Sequence, residues 1–384
     1  MGNFKERVFG LKGLFSLGAT DIVGNVISML FWLYIATIMD VEHYGQINYL
    51  IGIAGIASTA ILIGNSNVIT VFSAKKIPVQ SSLYLLTFFA GAISAISVFI
   101  ILYKIEVSLL IFGYLLGTMI LAELIGRKLF VGYSKYLLAQ KILTVIFGLG
   151  LYHIFGITGI ILGLALSYTP FLIRLIREFR ITRIDFSLLR PHRNFIITNY
   201  IFVVIDGLRN NLDRLIIVPL LGFTVLGQYT LSLQVISVLM MSSNTVFKYI
   251  LSEDASGNSN KKLKLVTIFF AVIVAIAGIF LLPQIIPIFF PKYLETIPAL
   301  RIMSLGIISS TISLTYYSKL FSTEKSRILI ISRSLMVLSM IIGIVTLGQQ
   351  FGLIGIACSF VLSSSIEAIF LSITSGRLRN NNEK

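Results

Sequence analysis

The sequence predicts an all-α polytopic membrane protein of about twelve transmembrane helices, built as two six-helix halves that face the same way. Three observations carry that expectation. Apolar runs of bilayer-crossing length recur from end to end, Lys and Arg alternate between successive loops, and short phrases recur about half a chain apart. The chain is 56% hydrophobic and 12% charged, with a mean hydropathy of +0.93. A soluble domain carries about 25% charged residues, so there is too little polar surface here to coat a globule.

A spanning helix needs roughly 20 apolar residues. Such runs are read at 14–37, 47–72, 81–102, 106–126, 136–154, 156–176, 195–219, 228–250, 264–283, 296–318, 327–347 and 352–374. They are continuous rather than alternating, which excludes a β-barrel. The first follows the basic stretch "KERVFGLK". It is too long for the apolar core of a signal peptide and lacks a small-residue cleavage site, so it is expected to stay as helix one. Cys358 is the single cysteine and lies in the last run, so no disulfide framework exists.

The net charge of +15 would suit a nucleic-acid binder until the charges are placed. With the amino terminus in the cytoplasm, the cytoplasmic segments, together with the span ends that border them, hold 24 of the 31 Lys and Arg, and the outer loops hold Lys104 and Lys292. That is the positive-inside rule, and it calls for no polyanionic partner. Attraction to anionic inner-leaflet lipid is a by-product of the same charges. The expected location is the inner (cytoplasmic) membrane, with both termini cytoplasmic.

"KLF" occurs at 128–130 and 319–321, "FGITGI" at 155–160 answers "FGLIGI" at 351–356, and "YGQ" at 44–46 answers "LGQY" at 226–229. The matches keep their order and fall at equivalent loops. Six helices separate the copies, an even number, so the repeat is of the parallel kind, related by an axis along the membrane normal. The expected division is an amino-terminal half at 1–178, a polar cytoplasmic linker at 179–194 and a carboxy-terminal half at 195–384. Two such bundles leave a cavity between them, and rocking them alternates its access, which favours a transporter.

Charges inside spans are the informative residues, since each costs about 2.5–3.5 kcal/mol at the bilayer centre. In span seven, Asn199, Asp206 and Asp213 are spaced by sevens and share one helix face; Arg209 and Asn210 lie on or beside it, and Arg214 lies at its edge. Mutual neutralisation, Asp206 with Arg209 and Arg209 with Asp213, would explain how the helix inserts. A wet, polar cavity wall accounts for the whole stripe, amides included. Span one repeats the pattern with Asp21, Asn25 and Ser28 on one face. Lys141 and Arg333 occupy near-equivalent places in spans five and eleven, where they snorkel to the interface or form a cationic pair at the inner mouth. Glu123 and Glu367, near the inner ends of spans four and twelve, are left undecided between function and interface.

No GxxxxGK[ST] loop is present, so ATP hydrolysis by that route is excluded. No HExxH, CxxC or metal-spaced cluster occurs, and His43, His153 and His192 are scattered, so no metal site is expected. The outer loops are short, the largest lying around "PQIIPIFFPKYLETIP". A membrane-embedded glycan polymerase or glycosyltransferase would want a larger one, so an enzyme is not expected.

Three stretches resemble the polysaccharide transporters, the lipid-linked oligosaccharide flippases (Wzx-like) of the MOP (MATE-like) superfamily. "NNLDRLIIVPLLGFTVLGQYTLS" is similar to the family's seventh-span pattern at Asp213, Arg214, Leu221, Gly222, Gly227 and Tyr229. "FFPKYLETIPALRIMSLG" resembles its ninth-loop pattern, with Phe290 where Gly is usual, and "MDVEHYGQINY" its first outer loop. The resemblance implies a MATE-like fold with a V-shaped central cavity and export of a polyprenyl-(di)phosphate-linked glycan for cell-surface polysaccharide or glycoprotein synthesis. It implies cationic phosphate ligands, for which Arg209 and Arg214 are the first candidates and Lys141, Arg301 and Arg333 the next. Asn199, Asn210, Asn25 and Ser28 would wall the glycan path, and association with glycan-assembly enzymes would follow. No cofactor is expected beyond H⁺ or Na⁺ coupling through Asp21, Asp206 or Asp213. The rival reading is a cation-coupled multidrug or small-molecule antiporter of the same superfamily.

Overall fold

The computed structural model describes residues 2–64, 66–181, 184–241, 243–244, 246–247, 250, 254, 261–322 and 326–382, and every regular element among them is a helix. In chain order these are α1 (Gly2–Ile38), α2 (Val41–Ile61), α3 (Ser66–Ala74), α4 (Gln80–Leu102), α5 (Ile105–Gly126), α6 (Phe130–Phe155), α7 (Ile157–Leu166), α8 (Thr169–Ile181), α9 (Arg193–Leu239), α10 (Lys261–Phe289), α11 (Ile297–Ser322), α12 (Ser326–Gly343) and α13 (Gln349–Asn382). Short 3₁₀ turns precede α9 and α11, and a π-turn joins α12 to α13. An all-helical chain is what hydrocarbon demands, because only a helix satisfies its backbone groups within one segment.

By length and composition, nine helices among the described residues can cross a membrane, or ten if α2 and α3 make one bent span. The two longest stretches are each cut by one glycine outside the helical region: Gly222 at φ 85°, ψ 176° and Gly352 at φ 57°, ψ −132°. Each cut falls where the sequence divides two expected spans, seven from eight and eleven from twelve. The protein is a multi-pass membrane protein, and its helices expose Phe89, Ile101, Ile173, Phe280 and Ile288 as a lipid-facing surface should. The last turns expected of span eight include residues 242, 245, 248 and 249, and the linker includes Thr182 and Arg183; these lie outside the described residues.

Two expected spans are not continuous. Span two, expected as one helix over 47–72, bends by 47° between α2 and α3. The Gly64 N–H freed there donates to Thr87 Oγ1 on α4 (3.2 Å), so the break is paid for by a neighbouring side chain. Span six, expected over 156–176, turns at Ser167–Tyr168 and restarts at α8, where Pro170 has no N–H to offer the helix before it.

The repeated phrase proves to be a repeated backbone. Gly156 sits at φ 60°, ψ −134° and Gly352 at φ 57°, ψ −132°, a conformation glycine adopts without steric cost. Three residues on, a Cβ at Gly159 would strike the Leu151 carbonyl and one at Gly355 the Leu347 carbonyl, again the same place in each copy.

The chain forms two compact units: Met1–Phe31 with Leu50–Gly207, and Trp32–Tyr49 with Leu208–Lys384. In the first, α5 is the most buried membrane helix and packs on α3, α4, α7 and α8. In the second, α11 packs on α10 and α13, and α12 on α13. Residues 32–49, which the sequence groups with the first half, thus pack with the second. Gly45 and Gly227 are the reason. A Cβ at Gly45 would land on the Phe223 carbonyl and one at Gly227 on the Val41 carbonyl, so two helix starts cross backbone to backbone through mirrored contacts. Around the crossing, Tyr44 sets its ring edge-on to Tyr293 (centroids 6.2 Å apart), and Lys292 Nζ donates to Asp40 Oδ1 (3.0 Å). Gln228 Nε2 donates to Glu295 Oε2 (2.6 Å).

Overpacking costs about 1–3 kcal/mol where side chains can yield, and more where the obstacle is backbone. Gly45→Val or Gly227→Val is therefore expected to lower the thermal unfolding midpoint of the purified protein by several degrees. Gly150→Ala, whose new Cβ meets nothing within 4 Å, should leave it unchanged. The Asp40 carboxyl, outside the spans, is held below its ordinary 3.8 first by the Lys292 hydrogen bond and then by that ammonium's charge. A depressed folded-state value means the contribution is present above pH 3.8 and lost as pH falls through the depressed value. The midpoint difference between wild type and Asp40→Asn should accordingly be small at neutral pH, since the pair is exposed, and vanish in acid.

Candidate functional site

The second unit encloses a cavity of about 190 Å³ whose polar lining is Arg209, Asn210, Asp213 and Tyr229, with Met336 and Met340 among its apolar walls. Its geometry begins in α9. Pro219 and the non-helical Gly222 fold that helix into two arms, and the turn brings Tyr229 back beside Asp213, whose Oδ2 accepts from the tyrosine hydroxyl at 2.8 Å. Asp213 Oδ1 accepts from the Arg214 backbone N–H at 2.8 Å. The carboxylate is thereby committed to Tyr229 and the backbone rather than to Arg209 one turn earlier.

Arg209 is half-buried and points its Nε at the Met336 sulfur, 3.3 Å away. Among the described residues, no carboxylate lies within ion-pair distance of its guanidinium, although its charge reaches Glu367 and Tyr317 in the same unit. The expected Arg209–Asp213 pair is therefore not formed. Arg214 is half-buried, and its Nε is unpartnered among the described residues. Arg333 lays its guanidinium over the Tyr317 ring, 5.3 Å from the centroid, and Tyr317 in turn donates to the buried Glu367. Arg301 is exposed in the first turns of α11 and takes no part in the cavity.

The first unit holds the remaining candidates. Asp21 accepts from the Tyr133 hydroxyl at 2.7 Å, one helical step from a Thr20–Ser134 hydrogen bond of 2.6 Å. Asn25 is exposed and Ser28 half-buried on the same helix. Lys141 on α6 is half-buried with its stem against Gly24 of α1. Asp206 is half-buried, and Asn199 Nδ2 donates to the Phe195 carbonyl (2.9 Å), one turn back along its own helix. The span-seven stripe is thus divided: Asn199 and Asp206 belong to the first unit, and Arg209, Asn210, Asp213 and Arg214 to the second.

Glu123, undecided from sequence, anchors a buried ionic cluster. Its Oε1 takes Arg174 Nη2 at 2.7 Å and Arg127 Nε at 3.0 Å, and its Oε2 accepts from Tyr84 at 3.2 Å. The same two arginines reach Glu178, Arg127 at 2.5 Å and Arg174 at 3.2 Å. Two acids against two arginines make a neutral unit, which is how four charges are held out of water. Of the tyrosine partners of the acids, Tyr84, Tyr133 and Tyr317 carry no mark in the sequence and Tyr229 is marked only by the family resemblance, because a tyrosine in an apolar run carries no signal of what its hydroxyl meets.

No protein-family model and no curated protein matches the chain. Solved structures do. The lipid II flippase MurJ in an inward closed conformation superposes with a TM-score of 0.70 at 17% identity, covering 94% of this chain and 87% of that one. An inward-facing multidrug resistance MATE transporter of the MOP superfamily gives 0.68 at 12% identity, covering 96% and 98%. An outward-facing one gives 0.63 at 14%, covering 96% and 95%. The fold is the two-bundle fold of MOP-superfamily transporters, and these neighbours are transporters rather than enzymes.

Removing one partner from a buried ionic cluster leaves uncompensated charge and costs about 3–5 kcal/mol. Glu123→Ala is expected to cut the yield and unfolding midpoint of the membrane-extracted protein sharply. Glu123→Gln, which keeps a hydrogen-bond acceptor, should fall between it and wild type.

Proposed function

We propose that the protein is a flippase that carries a polyprenyl-(di)phosphate-linked oligosaccharide from the inner to the outer leaflet by alternating access. The observation that carries this reading is Arg209, a cation lining a cavity with no carboxylate at ion-pair distance among the described residues. An unpaired phosphate in hydrocarbon is prohibitive, and a guanidinium offers it a bidentate match. Asn210 on the cavity wall offers the hydrogen bonding a glycan needs, and the prenyl tail stays in lipid while the head passes.

In the same reading Arg214 supports Arg209, Lys141 and Arg333 serve as accessory cations, and Arg301, being exposed, guides approach. Asn199, Asn25 and Ser28 extend the polar path. Outward movement of a dianion is favoured by an inside-negative potential, by roughly 4–5 kcal/mol per 100 mV for full traversal, so export runs without ATP. The membrane would be the inner (cytoplasmic) one, with both termini cytoplasmic and glycan-assembly enzymes as partners.

A second reading, cation-coupled antiport of small molecules, draws support from one observation: Asp21 and Asp213 each accept from a tyrosine inside a membrane helix bundle. An acid so placed can exchange H⁺ or Na⁺, and Asp206 would join them.

Proteoliposomes carrying a polyprenyl-phosphate-linked oligosaccharide test the first reading. Exposure of the glycan to an added glycosidase is expected to need the protein and to quicken when the potential drives anions across. Arg209→Ala should lose nearly all of that exposure while inserting normally, and Arg209→Lys should keep part. Wild-type translocation by a correctly inserted Arg209→Ala protein would remove its role as phosphate ligand. Protein that moves no glycan donor but exchanges cationic drugs against H⁺ or Na⁺ would establish antiport instead.

A further inference from the structure

A second cavity, of about 600 Å³, lies in the first unit between the loop after α3 and the loop after α5. Lys76, Arg127 and Lys128 line it together with Gln80 and Ser73. The two loops are built alike. Ile77 N–H returns to Phe72 C=O (3.0 Å) and Lys76 N–H to Ser73 C=O (3.2 Å); Leu129 N–H returns to Leu124 C=O (2.8 Å) and Lys128 N–H to Ile125 C=O (2.9 Å). Each is the paired-bond helix stop whose left-handed residue is usually glycine. Here that residue is lysine both times, at φ 57° for Lys76 and φ 58° for Lys128. A lysine in that region costs about 1–2 kcal/mol that a glycine would not. Two neighbouring turns bear the same cost for the same charge, and both line one cavity.

An independent observation comes from the cavity wall. Gln80 is 3% exposed, its Nε2 donates to Ser73 Oγ (3.2 Å), and its Oε1 is buried with no hydrogen-bond partner among the described residues. A buried carbonyl oxygen left without a donor costs about 1–3 kcal/mol. The cavity therefore offers positive charge at its sides and an acceptor that wants a donor in its wall. Arg127 is already engaged by Glu123 and Glu178, so Lys76 and Lys128 supply the free charge. Leu129, 43% exposed, lines the cavity, and Val131, 83% exposed, follows it two residues on in the chain.

We propose that this cavity binds a phosphate group whose headgroup carries a hydroxyl donor, as a glycerol-type anionic phospholipid does. The phosphate sits between Lys76 and Lys128, a headgroup hydroxyl donates to Gln80 Oε1, and the acyl chains run past Leu129 and Val131 into the bilayer. The site is distinct from the Arg209 cavity and independent of what that cavity carries.

The test is native mass spectrometry of the full-length protein in detergent with phosphatidylglycerol, phosphatidylcholine or soluble glycerol phosphate added. Phosphatidylglycerol is expected to remain bound where phosphatidylcholine, which has no hydroxyl donor, does not. Lys76→Gly with Lys128→Gly keeps both turns and removes both charges, so lipid retention should fall by roughly thirtyfold while the unfolding midpoint of the delipidated protein holds or rises. Gln80→Leu should narrow the difference between the two lipids, and the charge preference of Lys76 and Lys128 should keep the remainder. Displacement of the lipid by millimolar glycerol phosphate would assign the site to the free headgroup, and failure to displace it assigns the site to the membrane lipid. Undiminished retention by the double glycine variant, or equal retention of the two lipids by wild type, overturns the site.

Discussion

The crossing of Gly45 and Gly227 is the contact on which the arrangement of the second unit depends. Where a carbonyl occupies the space a Cβ would need, only glycine allows two helix starts to meet. With the crossing made, other pairs fall within reach: Tyr44 with Tyr293, Asp40 with Lys292 and Gln228 with Glu295. Each joins two of the three stretches that carry the family resemblance. Those stretches are far apart in sequence and loosely patterned individually. They meet at one place, so their residues are read best as a single packing solution.

The bilayer sets the second constraint, and the chain meets it differently at each break. A freed backbone donor at Gly64 is taken up by Thr87, and Ser167 at the turn before α8 accepts from Gln140 at 3.1 Å. Charges follow the same economy. Glu123, Glu178, Arg127 and Arg174 close on one another, and Glu367 is met by the hydroxyl of Tyr317. Arg209 departs from this pattern, which is why it directs the functional reading.

Much of this was legible in the sequence because the physics behind it is local and additive. Span lengths follow from hydrocarbon thickness, and the repeat followed from "FGITGI" and "FGLIGI", whose glycines share one backbone conformation. What was not legible depends on pairing across the fold. Helical spacing put Arg209 within reach of Asp206 and Asp213, yet the turn at Gly222 brought Tyr229 to Asp213 instead. The break in span two is not expected from the sequence because a short polar interruption such as "GNSN" within a long apolar run does not by itself say that the helix bends, and it is Thr87 that takes up the freed Gly64 N–H. In the sequence Lys76 and Lys128 stand among the counted cytoplasmic charges, since sequence does not reveal that a lysine holds a glycine's place.

The two copies of the repeat have kept their backbone and diverged in their chemistry. Both place a buried acid near the end of the sixth helix of the half against a residue closing the fourth: Glu178 against Arg127, Glu367 against Tyr317. In the first unit the partner is a cation and the cluster closes to neutrality, so the charges serve the scaffold. In the second the partner is a neutral hydroxyl, and the cations of that unit, Arg209 and Arg333, rest against sulfur and an aromatic ring. At Arg209 the sulfur holds the guanidinium in place without cancelling its charge, as an opposing carboxylate would. A duplicated scaffold has thus closed its charges on one another in one copy, and in the other has set Arg209 against sulfur.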